Sequence, residues 1–352
     1  MRWYGENSGH RSRPVPIVRS GEETVHVGEQ DAELTDRFIE LIELVGMQLM
    51  ARVDAGDASA LVTGSAVSWI DAERSEDVEP LVSTQWLGEH LGDDDLVVVD
   101  ATVTFDSGAF HSGQKSWEAS HIPGSVFAEL LTDLSDPDAP IPLMAPSAER
   151  FAAAVGRLGI SNGTRVVVYD SRASMWAARL WWMLRAFGHD ECAVLDGGMT
   201  SWVAENRPVS NEVTPVEPAT FVPDPRPGRF VAKENVLRAI DDDGNQLVDA
   251  LSEEQYLGEV AHYGRAGHIP GAINVPATGI VDSGTQRYLS NDELRERFEP
   301  ALRSDSVITY CGGGVAASSD ALALTLLGHD NVAVYDGSML EWASDPELPL
   351  ET

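Results

Sequence analysis

The sequence predicts an α/β fold of two similar tandem domains, each a parallel sheet with helices on both faces, preceded by an N-terminal extension. Two observations carry this. The chain repeats itself once, and within each repeat short β-branched runs alternate with helix-like segments, the pattern of βαβ units. His121-Ile122-Pro123-Gly124-Ser125 recurs as His268-Ile269-Pro270-Gly271-Ala272, and Val98-Val99-Asp100 as Leu247-Val248-Asp249. Val167-Val168-Tyr169-Asp170 aligns with Ile308-Thr309-Tyr310-Cys311, and Gly188-His189-Asp190 with Gly328-His329-Asp330. Val194-Leu195-Asp196-Gly197-Gly198-Met199 matches Val334-Tyr335-Asp336-Gly337-Ser338-Met339. The offset shrinks only from 149 residues (Val98 to Leu247) to 140 (Gly188 to Gly328), a period too long for a solenoid.

In chain order, residues 1–80 form the extension. Apolar positions at Leu34, Phe38, Ile39, Ile42, Val45, Met47, Leu49 and Met50 predict one docking helix over Leu34–Val53, in otherwise polar surroundings that predict loose order. The first domain spans 81–205, with strands Leu96–Asp100, Arg165–Tyr169 and Cys192–Leu195 and a strongly amphipathic helix over Ala177–Ala186. Residues 206–229 carry Pro208, Pro215, Pro218, Pro223, Pro225 and Pro227, which predicts a semi-rigid extended linker. The second domain spans 230–352; in it the apolar run Val307–Tyr310 ends at Cys311, and a helix-like run continues to Leu327.

The formal charge of −33, with lysine only at Lys115 and Lys233, argues against nucleic acid and anionic membranes as partners. An anionic substrate would need a local positive site. Two cysteines about 120 positions apart form no disulfide framework or metal motif, and no apolar run is long enough to cross a membrane. The start of the chain lacks the apolar core of a signal peptide, so a cytoplasmic location is expected.

The chemistry concentrates at Cys311-Gly312-Gly313-Gly314-Val315-Ala316. A cysteine at a strand end, followed by glycines and a helix, faces a ring of backbone N–H groups at a helix N-terminus. That ring is expected to lower the thiol pKa, to ionise Cys311 near neutral pH without a histidine base, and to hold the outer sulfur of a persulfide. Cys192 begins an apolar strand with no such ring and reads as packing. Asp170 holds the matching position in the first repeat, and a carboxylate cannot carry sulfur.

These motifs resemble those of the tandem-domain rhodanese family, which includes thiosulfate and 3-mercaptopyruvate sulfurtransferases. The resemblance covers about residues 82 to 350. It rests on both His-Ile-Pro-Gly motifs, Ser116-Trp117 through Ser120, Leu180 through His189, the Cys311 loop, and Tyr335-Asp336-Gly337-Ser338 with Glu341-Trp342. It implies an active site in the second domain facing the interface and a first domain that serves as scaffold. It also implies double displacement: Cys311 takes sulfur from thiosulfate or 3-mercaptopyruvate, and cyanide or a thiol removes it. No metal or organic cofactor is implied; a thioredoxin-like reductant is among the implied partners.

Two departures stand out. Gly312-Gly313-Gly314 resembles the Gly-Ser-Gly of the mercaptopyruvate type but lacks the serine hydroxyl. Family arginines two and six positions after the aspartate are here Leu251 and Gln255, and each lost charged hydrogen bond is worth about 1.5–3 kcal/mol. Arg265 is the nearest replacement cation, either reaching into the cleft or sitting in solvent. Asp249 is expected to order the loop. Arg172, Met175 and Trp176 either line the cleft or pack their helix, and Gln255 itself is a candidate donor contact. His121 and His268 belong to a turn motif present in both halves and read as structural. Phosphatase or arsenate reductase chemistry would need an arginine six residues after the nucleophile, where Ala317 stands. A non-enzymatic sulfur carrier or regulatory binding module is the remaining alternative, motivated by Leu251 and Gln255.

Overall fold

The computed structural model describes residues 18–20, 23–25 and 78–352 of the chain. It comprises two compact units, Met1–Ser75 and Glu76–Thr352. In the first, β1 (Val18–Ser20) and β2 (Glu23–Val25) pair antiparallel. The helix expected over Leu34–Val53 lies outside the described residues.

The second unit holds two five-stranded parallel sheets with identical strand order. One runs in the order Leu81–Val82, Cys192–Leu195, Arg165–Tyr169, Leu96–Asp100, Val126–Phe127. The other runs in the order Phe230–Val231, Val332–Tyr335, Ser306–Tyr310, Asn245–Asp249, Ile273–Asn274. Central strands such as Arg165–Tyr169 are buried on both faces from their second residue on, which is why they read as continuous valine runs instead of alternating ones. Equivalent pairs line up in the two ladders: Asp100 stands opposite Tyr169, and Asp249 opposite Tyr310. The residues that follow these tyrosines, Asp170 and Cys311, therefore emerge at the carboxyl ends of central strands, where open parallel sheets place their sites.

Each of these residues leads into a helix, Met175–Ala186 in the first domain and Val315–Leu326 in the second, and the two helices pack along each other. That contact corrects the expectation of a strongly amphipathic Ala177–Ala186 helix. From Trp176 to Leu184 every residue is buried, because one side meets its own sheet and the other meets the duplicate helix. One apolar core consequently runs through both domains, from Val99 and Phe151 to Leu322 and Val334. Residues 206–229 cross the first domain as an extended strap. It is pinned where Ala219 donates to the Gly156 carbonyl, where Asn162 bonds both backbone groups of Val222, and where Phe221 enters the core.

Candidate active site

The loop after Tyr310 turns directly into helix Val315–Leu326, and Cys311 at its start is only 2% exposed. Backbone N–H groups of Gly313, Ala316 and Ala317 hydrogen-bond its sulfur. Two other loop amides are held from behind: the Ser338 hydroxyl accepts from Cys311 N and Gly314 N, each at 3.1 Å, and donates to the Tyr335 carbonyl. The loop's curl is thus fixed without using the amides that face sulfur. Gly314 takes a left-handed φ of +73°, and a Cβ there would stand 2.8 Å from the Asp336 carboxylate and 3.0 Å from the Arg179 guanidinium. A Cβ on Gly312 would stand 2.1 Å from the Tyr263 hydroxyl.

The amide ring is present, but burial works against the ionisation expected of it. Burial pushes the Cys311 thiol up, the three amides offset only part of this, and nearby Asp249 adds to the rise. The sequence marked the donors around the sulfur but not how far the loop is sealed from water. Cys192 is buried in its strand with its thiol against the His189 carbonyl, in keeping with a packing role.

The first-domain counterpart answers the same loop differently. Asp170 puts one carboxylate oxygen on the amides of Arg172 (2.8 Å) and Ser174 (3.1 Å) and the other on those of Trp176 (2.9 Å) and Ala177 (3.0 Å). Burial pushes its pKa up to about 6 despite these four donors. Ala173 and Ser174 both adopt positive φ, where the second-domain loop uses Gly314.

Arg179 joins the two loops. It pairs with Asp336 at 2.7 Å with both side chains almost wholly buried, and it donates to the carbonyls of Leu143 and Gly314. The other Asp336 oxygen accepts the Ala145 amide at 2.7 Å. A first-domain arginine thus fixes the far end of the cysteine loop.

Val315 and Ala316 belong to the loop and helix start, with Val315 beside Trp176, Arg179 and Leu143. Asp249 is fully buried, holds the Leu251 amide at 2.8 Å, faces Tyr310, and is pushed up to about 6 by burial, which fits an ordering role. Gln255 is half-buried and hydrogen-bonds Tyr263. Arg265 is the correction: its guanidinium donates to the carbonyls of Trp342, Ala343, Asp345 and Leu348, so every arm of the fork is spent tying the C-terminal segment down. Trp176 packs, buried and edge-on to Phe110, while Arg172 is exposed and gives its amide to Asp170. His121 and His268 do one job twice, each bonding a backbone carbonyl (Trp117, Tyr256) and stacking on that residue's ring.

Three residues to which the sequence reading gave no place in the site shape it: Tyr263, Ser338 and Arg179. Ser338 left a trace, since the aligned position in the first repeat is Gly198. Tyr263 and Arg179 left none.

Residues 83–205 and 232–345 both match the Rhodanese-like domain. The chain belongs to the rhodanese family. A thiosulfate/3-mercaptopyruvate sulfurtransferase of Arabidopsis thaliana is 37% identical over 298 residues, 77% of this chain and 86% of the relative. The thiosulfate sulfurtransferase of Rattus norvegicus is 38% identical over 275 residues, 74% of this chain and 91% of the relative. Among solved structures, the Escherichia coli 3-mercaptopyruvate sulfotransferase superposes with a TM-score of 0.67 at 33% identity, covering 74% of this chain and 99% of that one. This rhodanese therefore shares both its sequence and its two-domain architecture with sulfur-transferring enzymes. Among the described residues no cluster of His, Cys, Asp and Glu could hold a metal, and no helix is long and apolar enough to cross a membrane.

Proposed function

We propose that the protein is a sulfurtransferase that carries sulfane sulfur on Cys311, from thiosulfate or 3-mercaptopyruvate to cyanide or a thiol. The observation that carries this is the set of amides from Gly313, Ala316 and Ala317 aimed at the sulfur, in a loop where Ser338 occupies those of Cys311 and Gly314. Cys311 reacts as its thiolate, the proton passing to solvent, a step that burial opposes and the loop amides favour. The thiolate then attacks the outer sulfur of the donor. With thiosulfate the S–S bond breaks and sulfite leaves; with 3-mercaptopyruvate the C–S bond breaks and the thiol proton ends on the carbon of pyruvate. Either way the persulfide keeps one negative charge, which the loop amides stabilise. Cyanide then takes the outer sulfur as thiocyanate and returns the Cys311 thiolate.

Position 317 supports sulfur over phosphorus chemistry, since Ala317 offers only its amide where an oxyanion-clamping arginine would be needed. Two free, well-separated cysteines suit a reducing compartment such as the cytoplasm, in which a thioredoxin-like dithiol could serve as acceptor. The second reading, a sulfur carrier or regulatory module without turnover, draws on Leu251 and Gln255 in place of arginines. Thiocyanate formation from each donor plus cyanide separates the two. Turnover lost in Cys311→Ser supports the enzyme; no turnover above that variant with either donor leaves the carrier.

A further inference from the structure

The cysteine loop is closed from above by a residue with no role in the chemistry described so far. Tyr263 lies with its hydroxyl against Gly312, so close that a Cβ on Gly312 would stand 2.1 Å from the hydroxyl oxygen and 2.4 Å from the ring carbon that bears it. The missing side chain of the residue after the cysteine is what lets the phenol in. Three features hold it there. The Gln255 side chain, from helix Glu253–Tyr256, hydrogen-bonds the hydroxyl. Arg265, two residues on, anchors the same segment to four carbonyls of the C-terminal stretch. Gly267, at a φ of +106°, closes against the Glu351 carbonyl. Tyr263 is near enough to Cys311 to feel its charge, and burial pushes its hydroxyl up to about 12, so it remains a hydrogen-bond donor throughout the working range.

The two arginines built into this region are committed elsewhere, Arg179 to Asp336 and Arg265 to backbone carbonyls. The polar side chains set on Gly312 are therefore a phenol and the carboxamide bonded to it, both uncharged, in a chain of net charge −33. An uncharged pair can hydrogen-bond the two oxygens of a carboxylate. It cannot supply the countercharge a dianion needs on leaving water, and that desolvation cost grows with the square of the charge, roughly four-fold from one charge to two.

We propose, on the basis of the sulfur-transfer reading, that Tyr263 held by Gln255 is the donor-recognition residue of the Cys311 site, and that it selects a small mercaptocarboxylate over thiosulfate. The phenol O–H and the carboxamide N–H receive the donor's carboxylate, and the carbon–sulfur bond is thereby presented to Cys311. Arg265 acts at one remove, by fixing the segment that carries Tyr263.

The test is equilibrium binding to the full-length Cys311→Ser protein, read by titration calorimetry with pyruvate and with thiosulfate. Pyruvate is expected to bind about ten-fold more tightly than thiosulfate. Tyr263→Phe, which removes only one oxygen, is expected to weaken pyruvate by about ten-fold and leave thiosulfate within about two-fold. Gln255→Arg is expected to reverse the order of the two ligands. In Cys311-containing protein, Tyr263→Phe should raise the KM for 3-mercaptopyruvate while the cyanide-dependent discharge of a preformed persulfide keeps its rate. Unchanged pyruvate affinity in Tyr263→Phe, or thiosulfate as the tighter ligand of the Cys311→Ser protein, overturns the proposal. Binding is read without turnover, so an absence of thiocyanate from either donor would count against the sulfur-transfer reading alone.

Discussion

The two loops, Asp170–Ala177 and Cys311–Ala317, solve one problem in opposite ways. Both curl backbone N–H groups around a point at the carboxyl end of a central strand, and both must then satisfy those donors. In the first domain the side chain at the head of the loop does it: the Asp170 carboxylate accepts four amides, and the loop is complete without any ligand. In the second, Ser338 accepts two amides from behind and the Cys311 sulfur faces three more. A thiol is a weak acceptor, so those three donors are poorly matched until the sulfur carries charge. The scaffold loop is filled by its own residue, whereas the second loop leaves three donors for the charge its sulfur takes up.

The largest expected effect tests the filled loop. Asp170→Ala should lower stability by about 5 kcal/mol, since four amides lose their acceptor at about 1–3 kcal/mol each and water can recover only part. Urea unfolding measures it, and a loss no larger than that of Cys311→Ala would break the contrast between the loops. Next comes the link between them. Arg179→Met strands the buried Asp336 charge and should cost about 3–5 kcal/mol in the same assay, with sulfur transfer falling as Gly314 loses its tether.

The third test uses pH. Asp170 is raised from 3.8 to about 6 in the folded protein, so the native state binds this proton more tightly than the unfolded chain. Its contribution is full below about pH 4 and is lost as pH rises through 6, about 3 kcal/mol across that window. Comparing Asp170→Asn with the parent between pH 4 and 7 should reveal a slope that the variant lacks. Cys311 sharpens the contrast from the alkaline side: because burial raises its pKa, sulfur uptake at low donor concentration should keep climbing with pH beyond neutrality. A rate flat from pH 6 to 9 would contradict that placement. The smallest effect belongs to Ser338→Ala, which leaves two buried amides without an acceptor and should cost about 1–3 kcal/mol.

What the sequence disclosed follows from how local each signal is. Strands Leu96–Asp100, Arg165–Tyr169 and Cys192–Leu195 lie where valine-rich runs placed them, because burial on both faces writes itself into consecutive residues. The cysteine loop was legible for a similar reason: strand, cysteine, glycines and helix are contiguous. Properties set across the chain were not. The helix Met175–Ala186 looked one-sided because its second partner is the duplicate helix, over 130 residues away. Arg265 looked like a free cation because its acceptors are backbone carbonyls, which no side-chain pattern announces. The Cys311 thiol was expected to be acidic because donors can be read from glycines, while depth depends on everything packed around them.

The buried arginine has a consequence for how a duplicated chain ages. A copy that has lost its nucleophile is free to erode or be deleted only while the working copy stands without it. Here Arg179 of the silent half grips the carbonyl of Gly314 and the carboxylate of Asp336, and the silent half's apolar helix fills the flank of its twin. Deleting the first domain would strip the second of a charge partner and open its core to water together. The retired half is retained as a wall that the living half can no longer do without, and mutations in it should surface as defects in a reaction it does not perform.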